Sequence, residues 1–489
     1  MYSLGIDVGS SSIKVSLLNI EKGTCAASAT NPKVEMRISA PEKGFAEQAP
    51  EQWWHYICEG IKQMGTTCDL RKVVSIGISY QMHGLVAVDG NVNPLRDAII
   101  WCDSRAVGLG EEALEALGKD FCLEHLLNSP GNFTASKLAW VKRNEPELFS
   151  KVWKFMLPGD YVAYKFSGEV ATTATGLSEA ILWDFKEGKT ASCVLDYFGI
   201  PTSLVPDIVP SLGIVGRTTP AIELEFGIPT GTPISYRCGD QPNNAFSLNV
   251  LSPGEIAATG GTSGVVYGVV DVPKADTYSR VNTFLHVNNT QSDPRLGILL
   301  CINGTGIMNS WVHRNITPQL SYPDMNVLGA TAPVGSDGLC VIPFGNGAER
   351  VMCNKNVGAR LMGLDLVRHS QAHIVRATHE GIAFSFRYGI DIMKDLGLDP
   401  GVIKAGNANL FLSPIFRSTL ATLTSSRIEL LDTDGALGAA RGGALGAGFY
   451  SSPAEAFSSL SKIGEVQPEE SWKEPLEEAY GRWKEALGA

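Results

Sequence analysis

The chain of 489 residues is short of several features, and each shortage removes a class of protein. It has no run of 18 apolar residues, so a membrane-spanning helix is not expected. Its ten cysteines make no CxxC pair and no zinc spacing, which suits reduced thiols in a cytoplasmic protein and not a disulfide framework. Asn-x-Thr triplets such as Asn132-Phe133-Thr134 then read as chance matches, not as glycosylation sites. Basic residues are outnumbered, 40 Lys and Arg against 51 Asp and Glu, and the net charge of -11 argues against a surface built for nucleic acid or anionic membrane. A local basic pocket for a phosphorylated small molecule stays compatible with that balance. No basic leader precedes the first apolar run, which Asp7 already interrupts, so the opening residues are expected to form a strand pair and not a signal peptide.

What is present is ordinary for a globular protein: 44% hydrophobic, 19% charged and 8% aromatic residues. The length exceeds what one compact core holds, and two domains of roughly 200 to 250 residues are expected. Pro253-Gly254 in NVLSPGE precedes a fresh strand pair, which gives domains at 1–247 and 248–489. The fold class is α/β, because apolar strand-like runs (LGIDV, IKVSLLNI, VVSIGI, LVAVD, PISYRC) alternate with helical spacing at residues 50–65, 111–118, 134–152 and near 365–395. EIAATGGTSGVVYGVV repeats the grammar of the first 20 residues, strand, Gly-hydroxyl turn, strand, which suggests a structural duplication. The late stretch DGALGAARGGALGAG has the small residues that allow close approach to a bound group or to a neighbouring element.

Several strand ends carry chemistry. Asp7-Val-Gly9-Ser10-Ser11-Ser12-Ile-Lys14 sets a carboxylate, a flexible turn, three hydroxyls and an ammonium within eight residues, a combination that can hold phosphate through backbone N–H groups and magnesium through Asp7. It is not the GxxxxGK[ST] loop, since Lys14 lies on the outgoing strand. Gly261-Thr262-Ser263 forms a second such turn, and two turns on facing domains would grip one polyphosphate in a cleft between them. Asp240, at the end of PISYRCG, is a candidate general base for a substrate hydroxyl, although Asp-x-Pro-Asn also suits a plain turn. Trp101 could wall a sugar pocket and Asp103 could accept from vicinal hydroxyls, with an Asp103–Arg105 ion pair as the alternative. In SYQMHG, Met82 could adapt to an apolar edge and His83 could bond a hydroxyl; core packing explains the same pair.

Together GIDVGSSSIK, SYQMHG, AIIWCDSRA, FTASKLAWVKRNEPE, LPGDYVAYKFSGE, CGDQPNNA, GGTSGV and DGALGAARGGALG resemble the sugar-kinase family that includes glycerol, ribulose and xylulose kinases, in order from residue 5 to about 448. The resemblance implies duplicated actin-like, ribonuclease-H-like ATPase domains with ATP and magnesium in an interdomain cleft. It implies transfer of the γ-phosphoryl group to a terminal hydroxyl of a ketopentose, D-xylulose first, with ribulose, fuculose or glycerol, or a non-catalytic sensor, as alternatives. It makes Asp240 the catalytic aspartate and Asp7 the carboxylate near the phosphoryl path, both beside the metal. Met82, His83, Trp101 and Asp103 fall on sugar-contacting positions. Thr262, with Gly406 and Asn409, falls on the nucleotide side. A homodimer is suggested by the resemblance alone. The chain departs from xylulokinases at Cys102, at RCGDQPNNA, at AGNANLF and at GNGAER.

Overall fold

The computed structural model describes residues 1–488 and divides into two units. The first holds Met1–Asn249, Thr283–Leu296 and Thr433–Leu460; the second holds Val250–Asn282, Gly297–Asp432 and Ser461–Ala489. The first crossing lies near the expected boundary at 247. Segments 283–296 and 433–460 are grouped with the first unit.

The first unit is built on six strands: β1 (Tyr2–Val8), β2 (Ile13–Asn19), β3 (Thr24–Asn31), β4 (Val73–Tyr80), β5 (Leu212–Arg217) and β6 (Pro233–Gly239). They run in the order β5-β6-β4-β1-β2-β3, with β1, β4 and β6 parallel and antiparallel strands outside them. Helices cover both faces, so β1 buries Leu4, Ile6 and Val8 on one side while Ser3 and Gly5 are buried on the other. A parallel strand covered on both faces reads as a near-continuous apolar run, as LGIDV does.

The helix Pro50–Gly65 forms where its spacing predicts it. Pro50 opens it at the first turn, Glu51 suits the positive N-terminal end, and Trp53, Ile57, Ile61 and Met64 recur on the buried face. The helix expected over 134–152 is broken. It runs Thr134–Asn144, and Pro146, which disfavours helical backbone in the residue before it, starts a separate turn at Pro146–Phe149. Helix Gln371–Asp395 begins later than expected, at the Ser370 cap.

The second unit contains β7 (Ile256–Gly260), β8 (Gly264–Val270), β9 (Leu296–Ile302), β10 (Val402–Gly406), β11 (Arg427–Leu431) and β12 (Lys462–Val466), in the order β9-β8-β7-β10-β11-β12. Here too an antiparallel hairpin opens the unit and its first strand pairs in parallel with a later one, β7 with β10 and β10 with β11. Over these six strands, ranked by chain position, the order differs from that of the first sheet by inversion of the first sheet's last two strands, and the second sheet has in addition a seventh, edge strand.

The small-residue stretch near 440 is the helix Gly435–Gly446, and its neighbour is the sheet of the first unit. A methyl group on Gly5 would sit 1.8 Å from the Ala436 carbonyl oxygen, and one on Gly77 would sit 1.8 Å from that of Ala439. Ser3 and Ser235 donate to the Ala440 and Gly443 carbonyls, each at 2.6 Å. Among the described residues no helix is long and apolar enough to cross a membrane. All ten cysteines are free.

Candidate active site

The parallel register of the first sheet brings its candidate residues to one end. Asp7 lies opposite Ser79 and Val8 opposite Tyr80 on β4, while Cys238 and Gly239 on β6 align with the same two residues. Asp7, the Met82–His83 step and Asp240 therefore leave the sheet at the same level. Carboxyl ends of parallel strands are where α/β proteins hold ligands.

Asp240 opens the helix Asp240–Ser247 and so is a helix start and not merely a turn. Burial, and then the charge of Asp7, push its carboxyl up to about 7. It keeps some exposed surface while lying deep enough among protein atoms to be desolvated. Asp7 is also raised, by burial, against the 2.8 Å hydrogen bond donated by the Ser79 hydroxyl. Asp434 adds to the rise of Asp7, as Asp7 does to that of Asp240, and buried carboxyl groups set among other carboxylates make poor free anions and a good seat for a cation. They fit magnesium held jointly with phosphate oxygens and water, since among the described residues no cluster of three or more acidic, His or Cys ligands could enclose a metal alone.

The first hairpin turn is fixed by its neighbours. Gly9 N–H reaches the Ser12 carbonyl, Gln48 donates to the Ser10 carbonyl at 2.7 Å, and Met36 N–H donates to that of Ser11. Lys14 pairs with Asp434 at 2.7 Å, and Asp434 caps the helix Gly435–Gly446. Lys14 is thus already engaged by a carboxylate. Trp101, 47% exposed, donates from Nε1 to the Ser10 hydroxyl at 3.2 Å and so joins the proposed pocket wall to the turn.

His83 adopts a left-handed backbone, φ 61°, uncommon for a side-chain-bearing residue. Its Nδ1 lies 2.8 Å from the Glu179 carbonyl oxygen, and because a carbonyl can only accept, Nδ1 carries the proton. Phe133 and Phe284 flank the ring with centroids at 4.7 and 5.5 Å. Met82 is buried against Gly239.

Asp103 is a correction. Its side chain is fully buried, Ala46 N–H donates to Oδ2 at 2.6 Å, and Arg105 binds both oxygens through its backbone N–H and guanidinium. Its acceptor capacity is spent on shaping the loop, which leaves no place for a sugar hydroxyl. The ion-pair alternative holds, buried instead of at the surface.

In the second unit the turn between β7 and β8 meets the start of helix Gly306–Ile316. Ile307 N–H reaches the Thr262 carbonyl at 3.1 Å, and a methyl group on Gly306 would lie 2.1 Å from the Gly261 carbonyl oxygen. Ser263 completes the turn. Asn409, itself at φ 54°, brings its side-chain amide to within 3.9 Å of where a methyl on Gly261 would stand. Gly406 ends β10, the strand paired directly with β7. The segment Asn303-Gly304-Thr305-Gly306 was not singled out from sequence, although a Gly-hydroxyl cluster after the apolar run GILLCI repeats the signal of the two hairpins.

Residues 2–247 match the model for the FGGY family of carbohydrate kinases, N-terminal domain, and residues 256–448 match its C-terminal domain. The chain belongs to the FGGY family of carbohydrate kinases. It is accordingly an ATP-dependent phosphotransferase with a two-domain α/β fold that resembles the actin-like ATPases. It is 28% identical over 463 residues to the xylulose kinase of Bacillus subtilis (strain 168), covering 92% of this chain and 89% of that one. The xylulose kinase of Escherichia coli (strain K12) is 27% identical, with 90% and 89% covered. In fold the chain matches a ligand-bound xylulose kinase and a gluconate kinase, both from Lactobacillus acidophilus. Each match has a TM-score of 0.90, with 22% and 21% identity, and covers 100% of this chain and 98% of the other.

Lys137, on helix Thr134–Asn144, was also missed as a site residue. It is fully buried and donates to the His83 carbonyl at 2.8 Å and the Ile100 carbonyl at 3.0 Å, tying together the two loops that carry Met82–His83 and Trp101. Burial lowers its ammonium to about 8. Replacing it, Lys137→Met, strips both carbonyls of a donor and should lower stability by about 1–3 kcal/mol. The KM for the phosphoryl acceptor should rise by about tenfold while the KM for ATP changes little, measured by coupled assay beside thermal melts.

Proposed function

We propose that the chain transfers the γ-phosphoryl group of Mg-ATP to a terminal hydroxyl of a ketopentose, D-xylulose giving D-xylulose 5-phosphate. The observation that carries the chemistry is Asp240, a strand-end carboxyl raised to about 7 and facing Asp7. Such a group takes a proton from a hydroxyl near neutral pH. The sugar assignment draws on the Met82–His83 step and on the xylulose kinases among the relatives.

Asp240 would orient the hydroxyl and accept its proton as the oxygen attacks phosphorus. Asp7, with Asp240, would hold magnesium, which neutralises charge on the phosphate oxygens. Backbone donors of Ser10 to Ser12, in the turn that Gly9 closes, would serve the phosphoryl group in flight, and those of Gly261 to Ser263 the rest of the nucleotide, with Gly406 and Asn409 toward base and ribose. His83 and Met82 would shape the sugar site, with Trp101 at its rim. The two sheets fit a duplicated ribonuclease-H-like domain, the first catalytic and sugar-binding, the second nucleotide-binding. Ten free thiols suit a reducing cytoplasm.

An ATP-coupled panel of D-xylulose, ribulose, fuculose, glycerol and gluconate, with sugar-free ATP hydrolysis as control, tests the assignment. D-xylulose should give the highest kcat/KM; preference for another acceptor overturns the sugar, and turnover of none overturns the kinase reading.

A further inference from the structure

Glu179 is buried at this site with nothing bonded to its carboxyl group. It ends the helix Ala174–Glu179, is 2% exposed, and neither carboxyl oxygen has a hydrogen-bond partner. Burial alone does not explain this, because the equally buried Glu380 receives Gly335 N–H, the Ser336 hydroxyl and Arg376. A buried polar group without a partner is uncommon and points to a ligand that supplies one.

Its position is fixed from three sides. A methyl group on Gly239, the residue before Asp240, would lie 2.8 Å from Glu179 Oε2 and 2.5 Å from Met82 Cγ, so the carboxyl group, Met82 and the approach to Asp240 meet at one point. The backbone carbonyl of Glu179 accepts from His83 Nδ1. The charged and titratable groups around it include Tyr80, Asp240, Asp160, Lys137 and Cys238. None of these makes a full hydrogen bond to it: the Tyr80 hydroxyl is a neighbouring donor that could serve one oxygen at most, and Lys137 directs two of its three N–H groups to the His83 and Ile100 carbonyls and makes no bond to Glu179. Burial raises the Glu179 carboxyl well above the usual range, consistent with a group that can donate as well as accept.

We propose that Glu179 is a substrate-binding residue that hydrogen-bonds a hydroxyl of the acceptor other than the one phosphorylated, and that it selects neutral polyols over aldonates. The second half follows from what the site offers a ligand, since the carboxyl groups of Asp7 and Asp240 stand beside Glu179 and a carboxylate ligand would add another acidic group with no basic partner named for it there. This assignment rests on the sugar-kinase reading above.

The test uses the full chain with Glu179→Leu and Glu179→Gln, the best neutral acceptor, its single-deoxy analogues, and gluconate. Glu179→Leu should raise KM for the full acceptor by about tenfold or more, yet leave KM unchanged for the one analogue lacking the contacted hydroxyl. Glu179→Gln should fall between. The melting temperature of Glu179→Leu should hold or rise, since an apolar group replaces an unbonded carboxyl group. An active wild type with unchanged KM in Glu179→Leu overturns the assignment alone, as does an equal loss on every analogue with a lowered melting temperature. Wild-type preference for gluconate overturns the neutral-polyol half. A wild type that phosphorylates no polyol overturns the kinase reading and the assignment with it.

Discussion

Asp240→Asn should lower kcat by about a thousandfold while leaving the KM for the sugar within about threefold of wild type. The amide keeps the size and hydrogen-bonding reach of the carboxyl group, so the pocket bounded by Met82 and Gly239 is retained. What it loses is the ability to take a proton. The same reasoning sets the pH profile. A carboxyl raised to about 7 is protonated, and useless as a base, below that pH, so kcat/KM should rise tenfold per pH unit up to about 7 and then level. Stability runs the other way. A carboxyl whose folded pKa lies above its unfolded value favours the folded state when protonated, and that contribution is lost as pH rises through about 7. The Asn variant has no proton to lose, so its melting temperature should exceed that of wild type by more at pH 8 than at pH 5. Near-wild-type turnover in Asp240→Asn, or a flat rate between pH 5 and 7, would remove Asp240 from the chemistry.

The parts of this molecule legible in its sequence are those written in local pattern. Both Gly-hydroxyl hairpins, the helix at 50–65 and the strand leading to Asp240 follow from periodicity and turn chemistry over fewer than about twenty residues. Asp103 misled because its type and strand-end place suit a sugar contact, whereas its role is decided by Arg105 and by Ala46, 57 residues away. Lys137 and Glu179 carry no local signal. Lys137 reads as one more charge on an amphipathic helix, and only the fold brings it under the His83 carbonyl, 54 residues back. Glu179 lies in a polar stretch that looks like an ordinary loop, and its lack of a partner is visible only once every neighbour is in place. The return of residues 433–460 to the first unit is a tertiary fact of the same kind, although the density of small residues there announced a close contact without naming the partner.

That contact carries the largest effect expected on stability. Gly77 sits in the middle of β4, where a β-branched residue would ordinarily be welcome, so Gly77→Val is not opposed by strand propensity. It is opposed by the helix. A first side-chain carbon at this position would stand 1.8 Å from the Ala439 carbonyl oxygen and 2.6 Å from its carbon, both backbone atoms that no rotamer change can move. The helix would have to lift from the sheet, breaking the Ser3 and Ser235 hydrogen bonds to its carbonyls and withdrawing Gly435 from beside Asp7. Overpacking on that scale should destabilise by about 3 kcal/mol or more, enough to leave much of the chain unfolded or aggregated on expression. Gly481→Ala supplies the contrast: it lies inside the helix Glu470–Leu487 with open space around it, and should stabilise by about 0.5–1 kcal/mol. Thermal melts of the two variants decide the matter. If Gly77→Val melts within a few degrees of wild type, the helix does not lie against β4 as closely as its carbonyl positions require, and the seating of Asp7 against Gly435 falls with it.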